Sequence, residues 1–353
     1  MSRGPTVGVT GLNATDNPAP GVGVIRAIRH DPSFDGRIVG LSYDALDPGN
    51  YAHDLVDDVF LIPYPSQGVA ALEARLRYIR EQVGLDVVIP TLDSELPAFF
   101  DLESTLADLG IHTFLPTPEQ FDMRSKVHLA TLGEDDAISV PAIEVIASPD
   151  QLSDIHERIP YPLWVKGPLY GAKKAYNLHE AVQAYHGIVA QWGLPVVVQA
   201  DVQGEEYDVA AVGDGEGGVV GAVAMRKTLL TDKGKGWAGV TVRDPVLLEL
   251  TRRFFAVTRW RGPCEVEALK DGDGAWHLLE VNPRFPAWIH TSAGAGLNLP
   301  RKVVDLALGK PVAHSLDYRA GTLFVRISID QIATLSDYES LVTTGELHVR
   351  EDP

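Results

Sequence analysis

The chain has 353 residues, of which 45% are hydrophobic and 22% are charged, values that are typical of a globular protein and argue against disorder. Thirty lysines and arginines against 48 aspartates and glutamates give a net charge of −18 at pH 7, which disfavours nucleic acid and anionic membranes as main partners. Cys264 is the only cysteine, which excludes an internal disulfide and a multi-cysteine metal site.

The first third of the chain alternates short apolar runs with helical patterns. The periodicity predicts an amphipathic helix over 69–83 and strands at 6–11, 37–41, 58–62 and 86–90. Strands separated by helices are typical of a parallel sheet with helices on both faces. Because ligands of such sheets bind at the carboxyl ends of the strands, the loops at 11–23 and 91–95 are candidate site loops, although glycine and proline also suit plain turns there.

Antiparallel structure is predicted in the remainder of the chain, after a proline-marked boundary at 115–119. The patterns favour helices at 151–157, 179–192 and 335–343. They favour strands at 163–166, 196–199, 207–212, 218–227, 262–270, 275–282 and 322–329. The segment at 228–242 reads as a mobile loop.

The N-terminal sequence MSRGPTVGVTG lacks a charged head followed by an apolar stretch, so no signal peptide is expected. No apolar run approaches the roughly 20 residues of a membrane span. We therefore expect a cytoplasmic protein.

The most informative segment is 262–284, which reads as two strands joined by the polar turn DGDG. Side chains alternate along a strand, so Glu265 and Glu267 share one face of the first strand, and Glu280 and Asn282 share one face of the second. Pairing the strands would bring Glu267, Glu280 and Asn282 together as an all-oxygen cluster that suits Mg²⁺ carrying phosphate. Arg284 could hold a phosphoryl or carboxylate group. From this segment alone, a hairpin with solvated acids is the alternative.

This hairpin, following two suitably placed lysines, resembles the ATP-grasp superfamily, particularly the branch of biotin carboxylase and the carbamoyl-phosphate synthase large subunit. In that family an acid or amide precedes a terminal Glu-x-Asn-x-Arg. The matching positions here are Glu267, Glu280, Asn282 and Arg284, whereas Glu265 lies outside the motif. Lys126 and Lys166 match the two lysines that bind the nucleotide phosphates.

The resemblance also implies a nucleotide hinge over 197–207. Adenine would meet this segment at Gln199, Ala200, Asp201 and Val202, and ribose would meet Glu206. The family usually has an acid at the position of Ala200, so Gln199 or Asp201 would have to accept the adenine amino group instead.

Two further assignments depend on the same resemblance. The phosphate-covering loop falls at 167–175 and includes Gly171, with Lys173 and Lys174 either supplying charge or remaining solvated. Lys227 would touch the γ-phosphate as part of the catalytic set with Arg284, and a surface role is the alternative for it.

The fold class implied is α/β and α+β: an open parallel α/β domain over 1–118, then an ATP-grasp fold with a small lobe over 119–200 and a large lobe over 201–353. The implied function is an ATP-dependent carboxylate–amine ligase that uses Mg²⁺ or Mn²⁺, forms an acyl phosphate and releases ADP. The alternatives are bicarbonate activation and a nucleotide-binding regulatory protein without turnover. We expect small-molecule carboxylate and amine substrates, no nucleic acid or membrane partner, and a homodimer as the assembly to test.

Overall fold

The computed structural model of the chain describes residues 4–13, 18–132, 138–168, 171–230 and 236–349. The strands within these ranges are β1 (Thr6–Val9), β2 (Arg37–Ser42), β3 (Asp58–Leu61), β4 (Val87–Ile89), β5 (Ile143–Ile146), β6 (Leu163–Lys166), β7 (Ala172–Ala175), β8 (Val196–Ala200), β9 (Gly204–Asp214), β10 (Val219–Leu230), β11 (Gly236–Val242), β12 (Arg261–Asp271), β13 (Trp276–Asn282), β14 (Leu323–Val325) and β15 (Glu346–His348). The helices are α1 (Gly21–His30), α2 (Val69–Val83), α3 (Leu96–Asp108), α4 (Pro118–Asp122), α5 (Lys126–Leu132), α6 (Leu178–Trp192), α7 (Pro245–Thr258), α8 (His290–Gly294), α9 (Leu299–Ala307) and α10 (Leu335–Thr344).

The first sheet has the strand order β15-β3-β2-β1-β4 over the described residues, and β1 to β4 are parallel. Helices α2 and α3 pack on one face of it, and α1 packs on the other. Helix α2 ends where Gly84 adopts a left-handed φ of 71°, which glycine tolerates without steric cost. The open parallel α/β domain predicted from the sequence is confirmed.

A four-stranded antiparallel sheet, β5-β8-β6-β7, forms the small lobe. Helix α6 covers it, burying Ala181, Ala184 and Ile188 against the strands. The Asn177 side chain caps this helix by accepting a hydrogen bond from the backbone of Glu180. The helix predicted at 151–157 is instead two short 3₁₀ turns, Pro149–Leu152 and Ile155–Glu157.

The large lobe contains a six-stranded sheet in the order β13-β12-β9-β10-β11-β14. Helix α7 packs on one face, and the other face turns toward the first domain. The prediction of a mobile loop at 228–242 is wrong where the structure describes it: β10 continues to Leu230, and Gly236–Val242 is strand β11, paired with β10 and β14. Residues 231–235 of that prediction lie outside the described residues.

Strand β15 does not belong to the large lobe, although the sequence analysis placed all of 201–353 in that lobe. Strand β15 pairs antiparallel with β3 and becomes the edge of the first sheet, with Leu347 opposite Val59. His348 contacts the Asp58 carboxylate through Nδ1 at 2.8 Å, and its ring lies edge-on to Phe60. A distant part of the chain therefore completes the first domain.

Among the helices in the described ranges, none has both the length and the apolar character that a membrane crossing requires.

Candidate active site

One face of the large-lobe sheet gathers acidic side chains from three adjacent strands. Glu267 on β12 lies opposite Glu280 on β13 and opposite Asp208 on β9, and Glu265 lies opposite Asn282. Because side chains alternate along each strand, these residues project from the same face. The pairing inferred from the sequence therefore occurs, and β9 adds an acid that the sequence analysis did not select.

Lys227 on β10 lies at the centre of this acidic face. Its Nζ is 3.0 Å from Asp208, 3.1 Å from Glu267 and 3.2 Å from Glu206, and its side chain is only 6% exposed. Burial alone would lower the pKa of this ammonium, but Glu267 and the neighbouring carboxylates outweigh burial and raise the pKa. The surface role considered for Lys227 is therefore wrong, because the residue is a buried counter-charge.

Three carboxylates form a compact group that could hold a cation. Asp208, Glu265 and Glu267 each offer an oxygen within 4.8 Å of the other two. Burial, followed by repulsion from Glu267, raises the pKa of Asp208 well above its ordinary value. A site with this much crowded negative charge gains from a bound hard cation, for which carboxylate oxygens are the preferred ligands.

This group overlaps the predicted metal set only at Glu267. Glu280 instead pairs with Lys126 at 3.3 Å, and Asn282 donates through Nδ2 to both Glu265 and Glu267 at 3.1 Å. Asn282 thus orients two acids in this arrangement. Asp208 could have been found from the segment EEYD, in which Glu206 and Asp208 are two residues apart and therefore lie on one face of a strand.

Arg284 joins the hairpin to the first domain. Its guanidinium contacts Asp93, in the loop after β4, at 3.0 Å and Glu265 at 3.3 Å. Burial would lower the pKa of Arg284, but Asp93 and Glu265 raise it. Asp93 also contacts Arg124 at 3.5 Å. The predicted site loop at 91–95 therefore reaches the acidic face through the ion pair between Asp93 and Arg284.

Glu95, in the same loop, is fully buried and accepts hydrogen bonds from the Thr10 hydroxyl and from the backbone N–H groups of Thr91 and Leu92. It fixes the loop that presents Asp93 and is itself remote from solvent.

The two lysines matched to nucleotide binding converge from the small lobe. Lys126 reaches Glu280, while Lys166, the last residue of β6, donates from Nζ to the Gln199 side chain at 2.5 Å. Burial, followed by repulsion from Lys126, lowers the pKa of Lys166 to about 8. An anion such as phosphate would stabilise the charged form of this buried ammonium group, so phosphate binding is electrostatically favourable here.

The hinge residues lie where β8 passes into β9. Ala200 ends β8, and Asp201 and Val202 follow before β9 begins. The Asp201 carboxylate accepts from Trp164 Nε1 at 2.8 Å and contacts Lys174 Nζ at 2.6 Å. Both side chains considered as replacements for the acid at Ala200 are thus engaged within the small lobe, Gln199 with Lys166 and Asp201 with Lys174.

The predicted phosphate-covering loop is shorter than expected. Residues Ala172–Ala175 form β7, paired with β6, so Lys173 and Lys174 lie on a strand. Gly171 adopts a φ of 80°, and its carbonyl accepts from the N–H of Gly167, closing the turn at 3.0 Å. Residues 169 and 170 of this loop lie outside the described residues.

A cavity of about 410 Å³ opens onto the acidic face. Its ionisable lining residues are Asp208, Lys227, Glu265, Glu267, Glu280, Arg284 and Arg326. The first domain contributes the wall at 18–20 together with Leu92. The cavity therefore lies in a cleft between the first domain and the large lobe, where two substrates could meet.

Known proteins resemble this chain in part of its sequence and in its fold. Residues 194–327 match the family model described as "ATP-grasp in the biosynthetic pathway with Ter operon". The carbamoyl phosphate synthase large chain of Thermoanaerobacter sp. (strain X514) is 23% identical over 236 residues, covering 60% of this chain and 22% of that protein. The chain thus spans about a fifth of the length of this curated relative.

Solved structures superpose on most of the chain. The biotin carboxylase domain of 2-oxoglutarate carboxylase from Hydrogenobacter thermophilus matches with a TM-score of 0.70 and 15% identity, covering 92% of this chain and 74% of that one. The L-amino acid ligase from Bacillus licheniformis matches with a TM-score of 0.65 and 16% identity, covering 89% and 76%. N5-carboxyaminoimidazole synthetase from Staphylococcus aureus matches with a TM-score of 0.66 and 12% identity, covering 90% and 81%. The match of residues 194–327 to an ATP-grasp family model and the fold that the chain shares with these structures agree with the resemblance to the ATP-grasp superfamily.

Proposed function

We propose that the chain is an ATP-dependent ligase that joins a carboxylate to an amine through an acyl phosphate. The observation that carries this proposal is the cleft itself. A face with five acidic side chains and one buried lysine meets two small-lobe lysines on one side and the first domain on the other. This arrangement of charges suits a site that binds polyphosphate and magnesium beside an open cavity for the substrate.

The nucleotide would lie between the lobes, with its phosphates near Lys126 and Lys166. Lys166 is held at the end of β6 by Gln199, and Lys126 is only 6% exposed. Both ammonium groups are therefore oriented before a ligand arrives, which lowers the entropic cost of binding. The base would contact the backbone at 200–202, because the nearby side chains of Gln199 and Asp201 already have partners.

The oxygen-rich face fits magnesium. Asp208, Glu265 and Glu267 would hold the ion, and Glu280 borders the same cavity. When bound, magnesium would neutralise phosphate charge and make the γ-phosphoryl group a better electrophile. Lys227 already offsets part of the acidic charge, so the face can fold without the ion.

The reaction needs no side-chain nucleophile. A carboxylate oxygen would form a bond to the γ-phosphorus while the bond to the β,γ-bridging oxygen breaks and ADP leaves. The amine nitrogen would then attack the acyl carbon, phosphate would leave with the acyl–oxygen electrons, and the amine would lose a proton. The chain would position the reactants and supply positive charge near the transferring group through Lys166 and Lys126.

The structural neighbours include both an amino acid ligase and carboxylases. The test is therefore ADP release, measured with magnesium and ATP against pools of carboxylates and amines. Release that requires both a carboxylate and an amine supports the ligase. Release with bicarbonate alone would overturn it in favour of a carboxylase, and tight ATP binding without release would overturn it in favour of a regulatory protein.

A pair of variants ties the activity to this face. Glu267→Gln removes one charge from the carboxylate group and should reduce ADP release by at least two orders of magnitude. Glu216→Gln is the matched control, because Glu216 lies in the exposed turn between β9 and β10 and pairs only with Arg259 in the described structure. Equal activity in the two variants would show that the chemistry occurs elsewhere.

A further inference from the structure

A second cavity, of about 300 Å³, adjoins the first. Helix α1 and the turn Pro48–Tyr51 form one side of it, and Trp237, the segment after β13 and the chain around β14 form the other. The two cavities share the wall residues Pro18, Ala19, Ala287, Trp288 and Arg326. A molecule with its reactive end in the first cavity can therefore extend into the second.

The two cavities differ in their ionisable groups. The first is lined by four carboxylates together with Lys227, Arg284 and Arg326. No aspartate or glutamate occurs among the described residues that line the second, which has Arg26, His290 and Arg326 instead. In a chain with a net charge of −18, a pocket whose described ionisable lining residues are all basic is a specific local feature.

The basic groups at the far end of the second cavity are available to a ligand. Arg26 is exposed on α1. His290 is half-buried, and the charged groups that influence its pKa are His30 and Arg26, both basic, which together with burial lower it. The rings of His30 and His290 meet edge to face at 5.6 Å. An anion at this end would pair with Arg26 and would favour the protonated form of His290.

Arg326 marks the passage between the cavities. It donates from Nε to the carbonyl of Gly236 at 2.9 Å, which fixes its guanidinium near the opening. Trp237, Phe324 and Ile327 contribute apolar and aromatic surface to the walls of the second cavity, and Thr291, Ser328 and Gln331 contribute polar groups. Aromatic walls favour an apolar or aromatic ligand body of matching width.

We propose that the carboxylate substrate is a dianion: one carboxylate reacts in the first cavity, an apolar or aromatic segment fills the second, and a further anionic group binds at Arg26 and His290. This inference rests on the proposed ligase function and specifies its substrate class. It excludes substrates whose far end is cationic, because such an end would meet Arg26 in a cavity that no aspartate or glutamate lines among the described residues.

The test is calorimetric binding in the presence of ADP and magnesium, so that it does not depend on turnover. The probes share one frame: phenylacetate, 1,4-phenylenediacetate, 4-(phosphonomethyl)phenylacetate and 4-(aminomethyl)phenylacetate. We expect the two dianions to bind about tenfold or more tightly than phenylacetate, as one charge-assisted hydrogen bond allows, and the amine to bind most weakly. The ratio between the two dianions shows whether the second group is a carboxylate or a phosphate.

Variants locate the second anionic group. Arg26→Gln and His290→Gln should reduce dianion affinity to the level of phenylacetate and leave phenylacetate binding unchanged. Arg77→Gln, an exposed arginine on α2 that pairs with Glu73, is the control and should change neither affinity. Melting temperatures of all three variants verify that they fold.

The inference is overturned if the dianions bind no more tightly than phenylacetate, or if Arg26→Gln weakens both classes of probe equally. Failure of the proposed function has a different signature, since ATP and magnesium would then give no ADP release that requires both a carboxylate and an amine, whichever probes bind.

Discussion

Lys166 offers a sharp test of the nucleotide site, because its pKa of about 8 falls within an accessible pH range. The perturbation is pH itself, compared between the wild-type protein and Lys166→Met. Phosphate oxygens near Nζ stabilise the charged ammonium, so the nucleotide complex holds the Lys166 proton more tightly than the free protein does. Binding above pH 8 therefore takes up a proton, and affinity falls as pH rises.

The magnitude follows from the charged fraction. With a pKa of about 8, about ten in eleven molecules carry the charge at pH 7 and about one in eleven at pH 9, so affinity should fall about tenfold between these values. Loss of the charge-assisted phosphate contact in Lys166→Met should cost about 1.5–3 kcal/mol of binding free energy at pH 7. The affinity of that variant should then vary much less with pH.

The assay is titration calorimetry of magnesium–ATP from pH 7 to pH 9.5, with melting temperatures to verify folding. Lys310→Met is the control, because Lys310 is half-exposed after α9 and contacts only Asp305 in the described structure. This control should keep the wild-type profile. A wild-type affinity that does not change with pH, or a Lys166→Met profile parallel to the wild type, would refute the assignment.

Three further substitutions test the acidic face and its support. Asp208→Asn should raise the free energy of unfolding of the metal-free protein at pH 7. Burial and Glu267 raise the pKa of Asp208 in the folded protein, so the charged carboxylate opposes folding at any pH above its pKa in the unfolded chain. An unchanged or lower melting temperature would contradict this. The same variant should show less stabilisation by magnesium–ATP than the wild type does. Glu265→Gln should lower stability by about 2–3 kcal/mol in urea unfolding, because buried Arg284 loses one of its two carboxylate partners. Glu95→Gln should lower the free energy of unfolding by about 1–2 kcal/mol, because the amide NH2 in place of Oε2 cannot accept the hydrogen bond that the Tyr43 hydroxyl donates there. A melting temperature equal to that of the wild type would refute this.

Local patterns predicted much of the fold. The helix over 69–83 has the predicted bounds, because apolar residues at helical spacing precede Gly84, which stops the helix. The hairpin of β12 and β13 forms as expected around its polar turn, and side-chain alternation put Glu265 and Glu267 on one face. These features depend on residues close together in sequence, so a single sequence carries the information.

The remainder depends on contacts between distant segments. Asp208 lies with Glu265 and Glu267 because β12 pairs with β9 on one side and with β13 on the other. No local sequence pattern predicts the pairing of β12 with β9. Glu265 was set outside the motif, yet the strand register buries it against Asn282 and Arg284. The segment at 236–242 is rich in glycine and reads as a loop, but it becomes a strand because β10 and β14 hydrogen-bond to it.

The pairing of β15 with β3 affects how the protein is synthesised. Glu346 lies opposite Phe60, 346 − 60 = 286 residues later in the chain. At about 5–20 residues per second, a ribosome needs about 15–60 s to reach β15 after it has made β3. During that interval the emerging first domain presents an uncovered strand edge, of the kind that pairs with other chains and leads to aggregation. A chaperone that binds nascent chains would therefore reduce aggregation most by covering the exposed edge of β3.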